Sequence, residues 1–372
     1  LAGGSLLPSP DVTLSNPITL SGPAASNTLG SQLSLDVEYL IVGGGGAGGV
    51  DMGGGGGAGG LLTGTTTIVG QSYPVVVGAG GTATADSGND GEASSWNSLT
   101  AVGGGGGGRS GSPGRAGGSG GGAGGRTTTD SSGGAATLGQ GNIGGTDTAG
   151  NDSATRSTGG AGGGGAGAAG SDNVPNVTAG NGGAGLQSSI TGQAEWYAAG
   201  GGAGGYNTRT TAGTGGSGIG GNGGLATSAT PGAANTGSGG GGGGGGPDAA
   251  GSGANGGSGI VILRYAGSPV ATGGTVDTTS VPGSTIHLFT ATAPSTFAID
   301  AAGVQATLSG DISGTGGFTL DTTSTLVLTG TNSYDGETIV SAGVLQVGNN
   351  TTTGSLGSGA VTNDAAIVFN RS

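Results

Sequence analysis

Tyr39-Leu-Ile-Val42 runs straight into Gly43-Gly-Gly-Gly46, and Gly256-Gly-Ser-Gly259 runs straight into Ile260-Val-Ile-Leu-Arg-Tyr265. Between these junctions lie most of the chain's 103 glycines, in unbroken runs such as Gly53–Gly57, Gly103–Gly108, Gly162–Gly165 and Gly239–Gly246. A flexible linker has no need of strand-like segments at its entry and exit, whereas a folded glycine-rich domain does. Gly/Ser-rich chains default to disorder because they bury too little apolar surface to offset the entropy of ordering. Collagen requires Gly at every third position with abundant Pro, yet here the runs are unbroken and Pro numbers 12. The remaining structure is a bundle of polyglycine helices of the polyproline-II type. Such a helix has three residues per turn and no internal hydrogen bonds, so its N–H and C=O groups point outward to neighbours. Ordering each residue costs about 1–2 kcal/mol, so inter-helix bonds can offset that cost only if many segments pack together.

The rest of the composition excludes several function classes. Cys is absent, which removes disulfides, thiolate metal sites and cysteine nucleophiles. Lys is absent too, so all seven basic residues are Arg, and the net charge is −13. A chain this acidic repels nucleic acid and anionic membranes. No apolar stretch approaches the 18 residues of a membrane-spanning helix, and no helical periodicity appears. The chain opens without Met and without a charged leader, and so reads as a processed protein or a piece of a longer one.

Outside the glycine block the pattern is period two, the mark of strands. Val12-Thr-Leu14, Ile18-Thr-Leu20 and Leu33-Ser-Leu-Asp-Val37 precede it. Leu61–Val69, Tyr73–Val77 and Trp96–Val102, with Glu38–Val42 and Ile260–Tyr265, are expected to form a small β-sandwich whose loops expand into the bundle. Thr285–Thr290 and Thr296–Ile299 read as a hairpin-like pair. From 306 onward short strands recur every 8–12 residues with Gly/Asn/Asp turns, the spacing of stacked solenoid rungs. The fold expected is all-β with essentially no α-helix: a small β-sandwich carrying an inserted polyglycine-II helix bundle, followed by β-solenoid-like strands. The divisions expected are an N-terminal strand segment over 1–37 that could act as a donor strand or a β-helix rung, the glycine-rich domain over 38–265, a connecting β-hairpin region over 266–305 and solenoid repeats over 306–372.

Two resemblances attach to particular residues. Leu308-Ser-Gly-Asp-Ile-Ser-Gly-Thr-Gly-Gly-Phe318, Leu326-Val-Leu-Thr-Gly-Thr-Asn-Ser-Tyr-Asp-Gly-Glu-Thr338 and Ala342-Gly-Val-Leu-Gln-Val347 resemble the autotransporter-associated β-strand repeat of bacterial surface passengers, over 308–370. Asp321-Thr-Thr departs from it, standing where the family usually carries a Lys-containing turn. Separately, 38–265 resembles the glycine-rich domain of phage tail adhesins, bacterial surface proteins and some receptor ectodomains. The pieces that carry this likeness are Tyr39-Leu-Ile-Val-Gly-Gly-Gly-Gly46, Ser94-Ser-Trp-Asn-Ser-Leu-Thr-Ala-Val102 with the six glycines after it, and Gly256–Tyr265. These resemblances imply architecture and an extracellular or cell-surface location, and no chemistry.

Catalytic constellations are scarce. Gly-x-Gly-x-x-Gly recurs here through composition alone, and a phosphate loop needs a Lys. The single His, His287, sits in an alternating strand pattern, and without Cys or Lys it leaves almost no nucleophile–base pair. Asp86-Ser-Gly-Asn-Asp-Gly-Glu92 has the residues of a Ca²⁺ loop but not the EF-hand spacing, and reads first as a turn. No enzyme activity, cofactor or metal is expected. Trp96 is expected in the core. Trp196, Tyr197 and Tyr206 are rare aromatics between glycine runs, expected to plug the end of the bundle or to form a ligand-binding loop that stacks on a sugar.

The expected function is a non-enzymatic extracellular structural protein that self-assembles by β-strand complementation into a surface fibre or filament. Its partner would be itself, head to tail, through Val12, Leu14, Ile18 and Leu20 at one end and Ile367, Val368 and Phe369 at the other. The alternative is an adhesin or phage tail-tip receptor-binding protein, with loops at the bundle ends meeting a host or surface glycan. Neither reading involves nucleic acid or membrane insertion.

Overall fold

The computed structural model describes all residues except 1–4, 7–12, 15, 23, 25–26, 30–33, 70–71, 126–129, 149–158, 208–209, 227, 247–249 and 300–304. The described chain is all-β, with one 3₁₀ turn at Gly216–Gly218. Four short strands open it: β1 (Ser5–Leu6), β2 (Thr13–Leu14), β3 (Ile18–Leu20) and β4 (Thr28–Leu29). Then follow β5 (Ser34–Val42), β6 (Leu61–Val69), β7 (Ser72–Val76), β8 (Ser94–Trp96) and β9 (Leu99–Ala101). A hairpin, β10 (Leu186–Ser188) and β11 (Glu195–Tyr197), interrupts the glycine block. After it come β12 (Ile260–Ala266), β13 (Ala271–Thr272), β14 (Thr275–Asp277), β15 (Ser284–Phe289) and β16 (Ser295–Ile299). The last six are β17 (Gln305–Leu308), β18 (Ile312–Gly314), β19 (Phe318–Leu328), β20 (Thr338–Thr351), β21 (Val361–Asn363) and β22 (Ala366–Arg371).

The sandwich consists of two antiparallel five-stranded sheets, ordered β14-β15-β12-β5-β6 and β13-β16-β7-β8-β9. Alternate residues of each sheet meet in a core built on Trp96, Phe297, Tyr73, Tyr265 and Phe289. Trp96 is wholly buried, with the Tyr39, Tyr73 and Phe297 rings 5.9–6.3 Å from it. The continuous apolar run Ile260–Leu263 is explained by burial on both faces of β12. Val261 and Leu263 enter the inter-sheet core, while Ile260 and Ile262 pack outward against Ile190 and Tyr197 of the β10–β11 hairpin. Asn97 and Ser98 take positive φ (46° and 63°), which closes the β8–β9 hairpin in two residues. The segments read as a hairpin at 285–299 do not pair with each other. β15 lies beside β12 and β16 lies beside β7, in opposite sheets, so this region is an integral part of the sandwich rather than a connector.

The glycine tracts run back and forth from one end of the sandwich. Their hydrogen bonds have a fixed rotation. Gly43, Gly46 and Gly49 donate to the carbonyls of Gly60, Gly57 and Gly54; Gly44, Ala47 and Val50 donate to Glu92, Asn89 and Asp86; Gly45, Gly48 and Asp51 donate to Gly257, Ala254 and Gly251. One tract thus serves three neighbours in turn, and donors to any one neighbour are three residues apart. Carbonyls go outward likewise, with Gly44 and Ala47 accepting from Gly104 and Gly107, and Gly46 and Gly49 from Gly240 and Gly243. Side chains are excluded by contact: a Cβ on Gly105 would stand 2.0 Å from the Arg115 carbonyl oxygen, and one on Gly243 2.0 Å from that of Gly251. The segment 86–92 belongs to this ladder and is not an isolated turn; Asp86, Asn89 and Glu92 present their carbonyls to the neighbouring tract.

The third unit is a parallel solenoid. β17, β19, β20 and β22 stack in register, so that Leu308, Leu328, Val347 and Phe369 form one column. The N-terminal strands join the same stack: Leu14 pairs beside Leu308, and Ile18 beside Ile312. Leu20, Leu29, Phe318, Leu326, Tyr334 and Leu345 fill its interior. The sandwich and glycine tracts are therefore built from chain that departs after Leu29 and returns by Gln305, an insertion into the solenoid. The described strands up to Leu29 thus share one core with those from Gln305 onward, whereas Ser34–Val37 belong to the sandwich.

Candidate functional site

The β10–β11 hairpin closes the sandwich end of the glycine tracts. Its strands pair antiparallel, Gln187 beside Trp196 and Ser188 beside Glu195. Alternation in β11 turns Tyr197 inward, where it is buried, and leaves Trp196 39% exposed. The Tyr197 hydroxyl donates to Glu195 Oε2 at 2.7 Å, and Thr191 Oγ1 donates to the same oxygen at 3.3 Å. Burial pushes the Tyr197 phenol well above its ordinary range, and the hydrogen bond to Glu195 and its charge add to the rise. The phenol therefore stays protonated at any physiological pH and fixes the carboxylate by donating to it. Arg264 tethers the hairpin to the sheet, with Nη1 donating to the Ile190 carbonyl at 3.2 Å while Nη2 pairs with Glu38.

Between this hairpin and the sandwich edge lies a cleft of about 510 Å³. Glu195, Trp196, Asn235, Thr236, Leu288 and Thr290 are among the residues that line it. Asn235 adopts a left-handed conformation (φ 59°), and its side-chain oxygen accepts from the Ser258 hydroxyl at 3.0 Å. The sequence singled out Trp196 and Tyr197, which sit together here. Asn235, Thr236 and Thr290 come from distant segments, and no local pattern marks them. Tyr206 lies elsewhere: Ala198–Gly205 separates it from Tyr197, and its amide donates to Thr210 Oγ1 at 2.8 Å.

The residues named for assembly lie at the solenoid. Val12 falls outside the described residues. Leu14 and Ile18 pair within the chain, to Leu308 and Ile312, and Leu20 is buried in the solenoid core. One edge of these strands is thus taken by the chain itself. On β22, Ile367 is half-buried, while Val368 and Phe369 are 44% and 67% exposed.

The titratable groups hold structure. His287 is buried; Nδ1 donates to the Gly273 carbonyl at 2.7 Å and Nε2 accepts from the Tyr265 hydroxyl at 3.1 Å. Burial lowers its pKa, so it is neutral. Asp86 and Asp90 pair with Arg109 and Arg115, each at 2.9 Å on exposed surface. Asp277 is held well below the usual carboxylate range by donors from Ser280 and Thr279. Thr63, Thr65 and Thr67 form a single exposed rank on β6, with Glu38 and Asp36 directly opposite Thr65 and Thr67. No cluster of three or more His, Cys, Asp or Glu placed to hold a metal occurs among the described residues.

Comparison with known proteins assigns both ends of this architecture. Residues 323–347 match the passenger-associated transport repeat. A 70-residue stretch, 18% of the chain, is 47% identical to the adhesin BmaC autotransporter of Brucella suis biovar 1 (strain 1330). That stretch spans 2% of the Brucella protein, so the chain covers only a small part of this far longer relative. No solved structure matches. The match to the glycine-rich domain runs from residue 24 to residue 266. It takes in both sequence junctions, every glycine run between them and the strands that bracket them, and on that extent the chain belongs to the glycine-rich domain family.

Proposed function

We propose that this chain is a non-enzymatic, adhesin-like passenger segment displayed on a cell surface or secreted. The observation that carries the reading is the solenoid column Leu14, Leu308, Leu328, Val347 and Phe369, in which a surface-passenger repeat bears an inserted glycine-rich domain. The likeness to an autotransporter adhesin supports it. In this reading the solenoid is a stalk and the inserted domain is the recognition head. The chemistry of the site agrees with binding: a protonated phenol, a carboxylate it holds and a half-exposed indole make a fixed contact surface without a proton-transfer pair. Displaying the full chain on a non-adherent bacterium and counting attachment to cultured epithelial cells tests this. Attachment should rise several-fold over the undecorated strain, and no rise would sink the adhesin reading.

Within that reading the glycine tracts are polyglycine-II helices packed in a bundle. The support is the step of three between donors to any one neighbour, which is the residue count of one turn of such a helix. Gly215, at φ −67° and ψ 147°, has the matching backbone.

A second reading, head-to-tail assembly, is favoured by one observation. β22 exposes Val368 and Phe369 beside an edge with no partner among the described strands, and such an edge templates further pairing. The complement would be the outer edge of β2 and β3, since their inner edge is taken by β17 and β18.

A further inference from the structure

We infer that the cleft under Trp196 binds a neutral saccharide, with the indole stacked on the C–H face of one sugar ring and Glu195 and Asn235 holding its hydroxyls. This rests on the adhesin reading and adds to it a site and a ligand class. The chain has two tryptophans, and their environments are opposite: Trp96 is wholly buried, whereas Trp196 is part-exposed and lines the cleft. The polar groups around that face are pre-set. Glu195 Oε2 already takes the Tyr197 and Thr191 hydroxyls, while Oε1 has no partner among the described residues. Asn235 uses its oxygen on Ser258, and its Nδ2 has no partner among them either. Thr290 lines the same cleft.

A half-exposed aromatic side chain, one acceptor and one donor without partners among the described residues, all on residues that line one cleft, match a ring that is apolar on one side and carries hydroxyls at its rim. Each sugar hydroxyl both donates and accepts, so one vicinal pair can satisfy Glu195 and Asn235 together. An aliphatic ligand would strip water from both groups and return no hydrogen bond. An anionic sugar would meet the Glu195 carboxylate and a chain of net charge −13. The volume, about 510 Å³, lies within the ~300–1,000 Å³ range of small-ligand sites.

The test is a glycan array carrying neutral, N-acetylated, sialylated and sulfated saccharides, probed with the full chain. Neutral saccharides should be retained and the anionic ones not. The best neutral hit should shield Trp196 from acrylamide quenching and leave the Trp96 emission unchanged. Trp196→Ala should lower retention roughly tenfold, equivalent to about 1.4 kcal/mol. Thr290→Arg, which crowds the cleft from an exposed lining position, should do the same with an unchanged circular dichroism melt. Failure of every neutral saccharide to bind, preference for anionic ones, or equal binding by both variants overturns the inference. If the displayed chain still promotes attachment in any of those cases, the adhesin reading stands and only this cleft loses its role.

Discussion

Leu14 lies beside Leu308 in a parallel ladder, although the whole glycine-rich domain separates them in the chain. The pairing makes the N-terminal strands a turn of the solenoid, and its interior depends on them: Leu20 and Leu29 are fully buried there beside Phe318 and Leu326.

Leu20→Ala should therefore weaken strands that lie far away in sequence. Emptying a fully buried leucine site costs about 2–5 kcal/mol. Hydrogen exchange should accelerate for amides of β17 to β19, while β5 and β12 of the sandwich keep their protection. Unchanged exchange in β17 to β19 would show that the first turn is not seated on the stack.

Glycine substitutions should divide by location. Gly105→Ala and Gly243→Val place a Cβ 2.0 Å from a backbone oxygen, and tracts bonded on several sides cannot shift for one of them alone. A loss of about 1–3 kcal/mol or more is expected, on the scale of overpacked cores. Gly139 has φ +77°, and a Cβ added there would meet no atom within 4 Å, so it should accept Asn within about 0.5 kcal/mol. Thermal melts and protease resistance of the three variants make the comparison.

Acid should destabilise the sandwich through His287. The folded imidazole is neutral with its pKa lowered from 6.5, so the unfolded chain binds the proton first as pH falls. The contribution is fully present above pH ~6.5 and is lost below it, at a slope of at most about 1.4 kcal/mol per pH unit for one proton. The melting temperature should drop between pH 7 and pH 5.5, and His287→Gln should flatten that drop. An equal slope in the variant would assign the effect to other groups.

Phe369→Glu probes the second reading. The side chain is 67% exposed, so stability should change by less than about 0.5 kcal/mol. Sedimentation over a wide concentration range should show association of the parent chain and its loss in the variant. A parent chain that stays monomeric throughout would remove head-to-tail assembly.

The sequence made some of this legible and hid the rest, for physical reasons. Period-two alternation in Ser34–Val37 and Ser72–Val76 reports directly on strands, because alternation is a local consequence of the pleat, while the apolar run Ile260–Leu263 reports a strand buried on both faces. That the N-terminal strands could form a β-helix rung was legible, but their place within this chain's own stack was not, because parallel pairing has no short-range signature that fixes Thr307–Leu308 as the neighbour of Thr13–Leu14. The same holds for β15 and β16, which are close in sequence yet belong to different sheets. For the cleft, Trp196 stood out as a rare aromatic among glycines. Asn235 and Thr290 did not, because their relation to it exists only after the hairpin has folded over β12 and β15.

The insertion also sets a timetable. During synthesis Leu14 and Ile18 emerge long before Leu308 and Ile312, so the turn they form waits, unpaired, until the whole intervening domain has been made. Entropy alone makes closing so long a loop only modestly more costly than a short one, because the penalty grows with the logarithm of length. Delay is the larger burden, since exposed strand edges invite wrong partners meanwhile. If the inserted domain folds before those strands pair, it brings the two halves of the solenoid together, and pairing of Leu14 with Leu308 then registers that the insertion has formed.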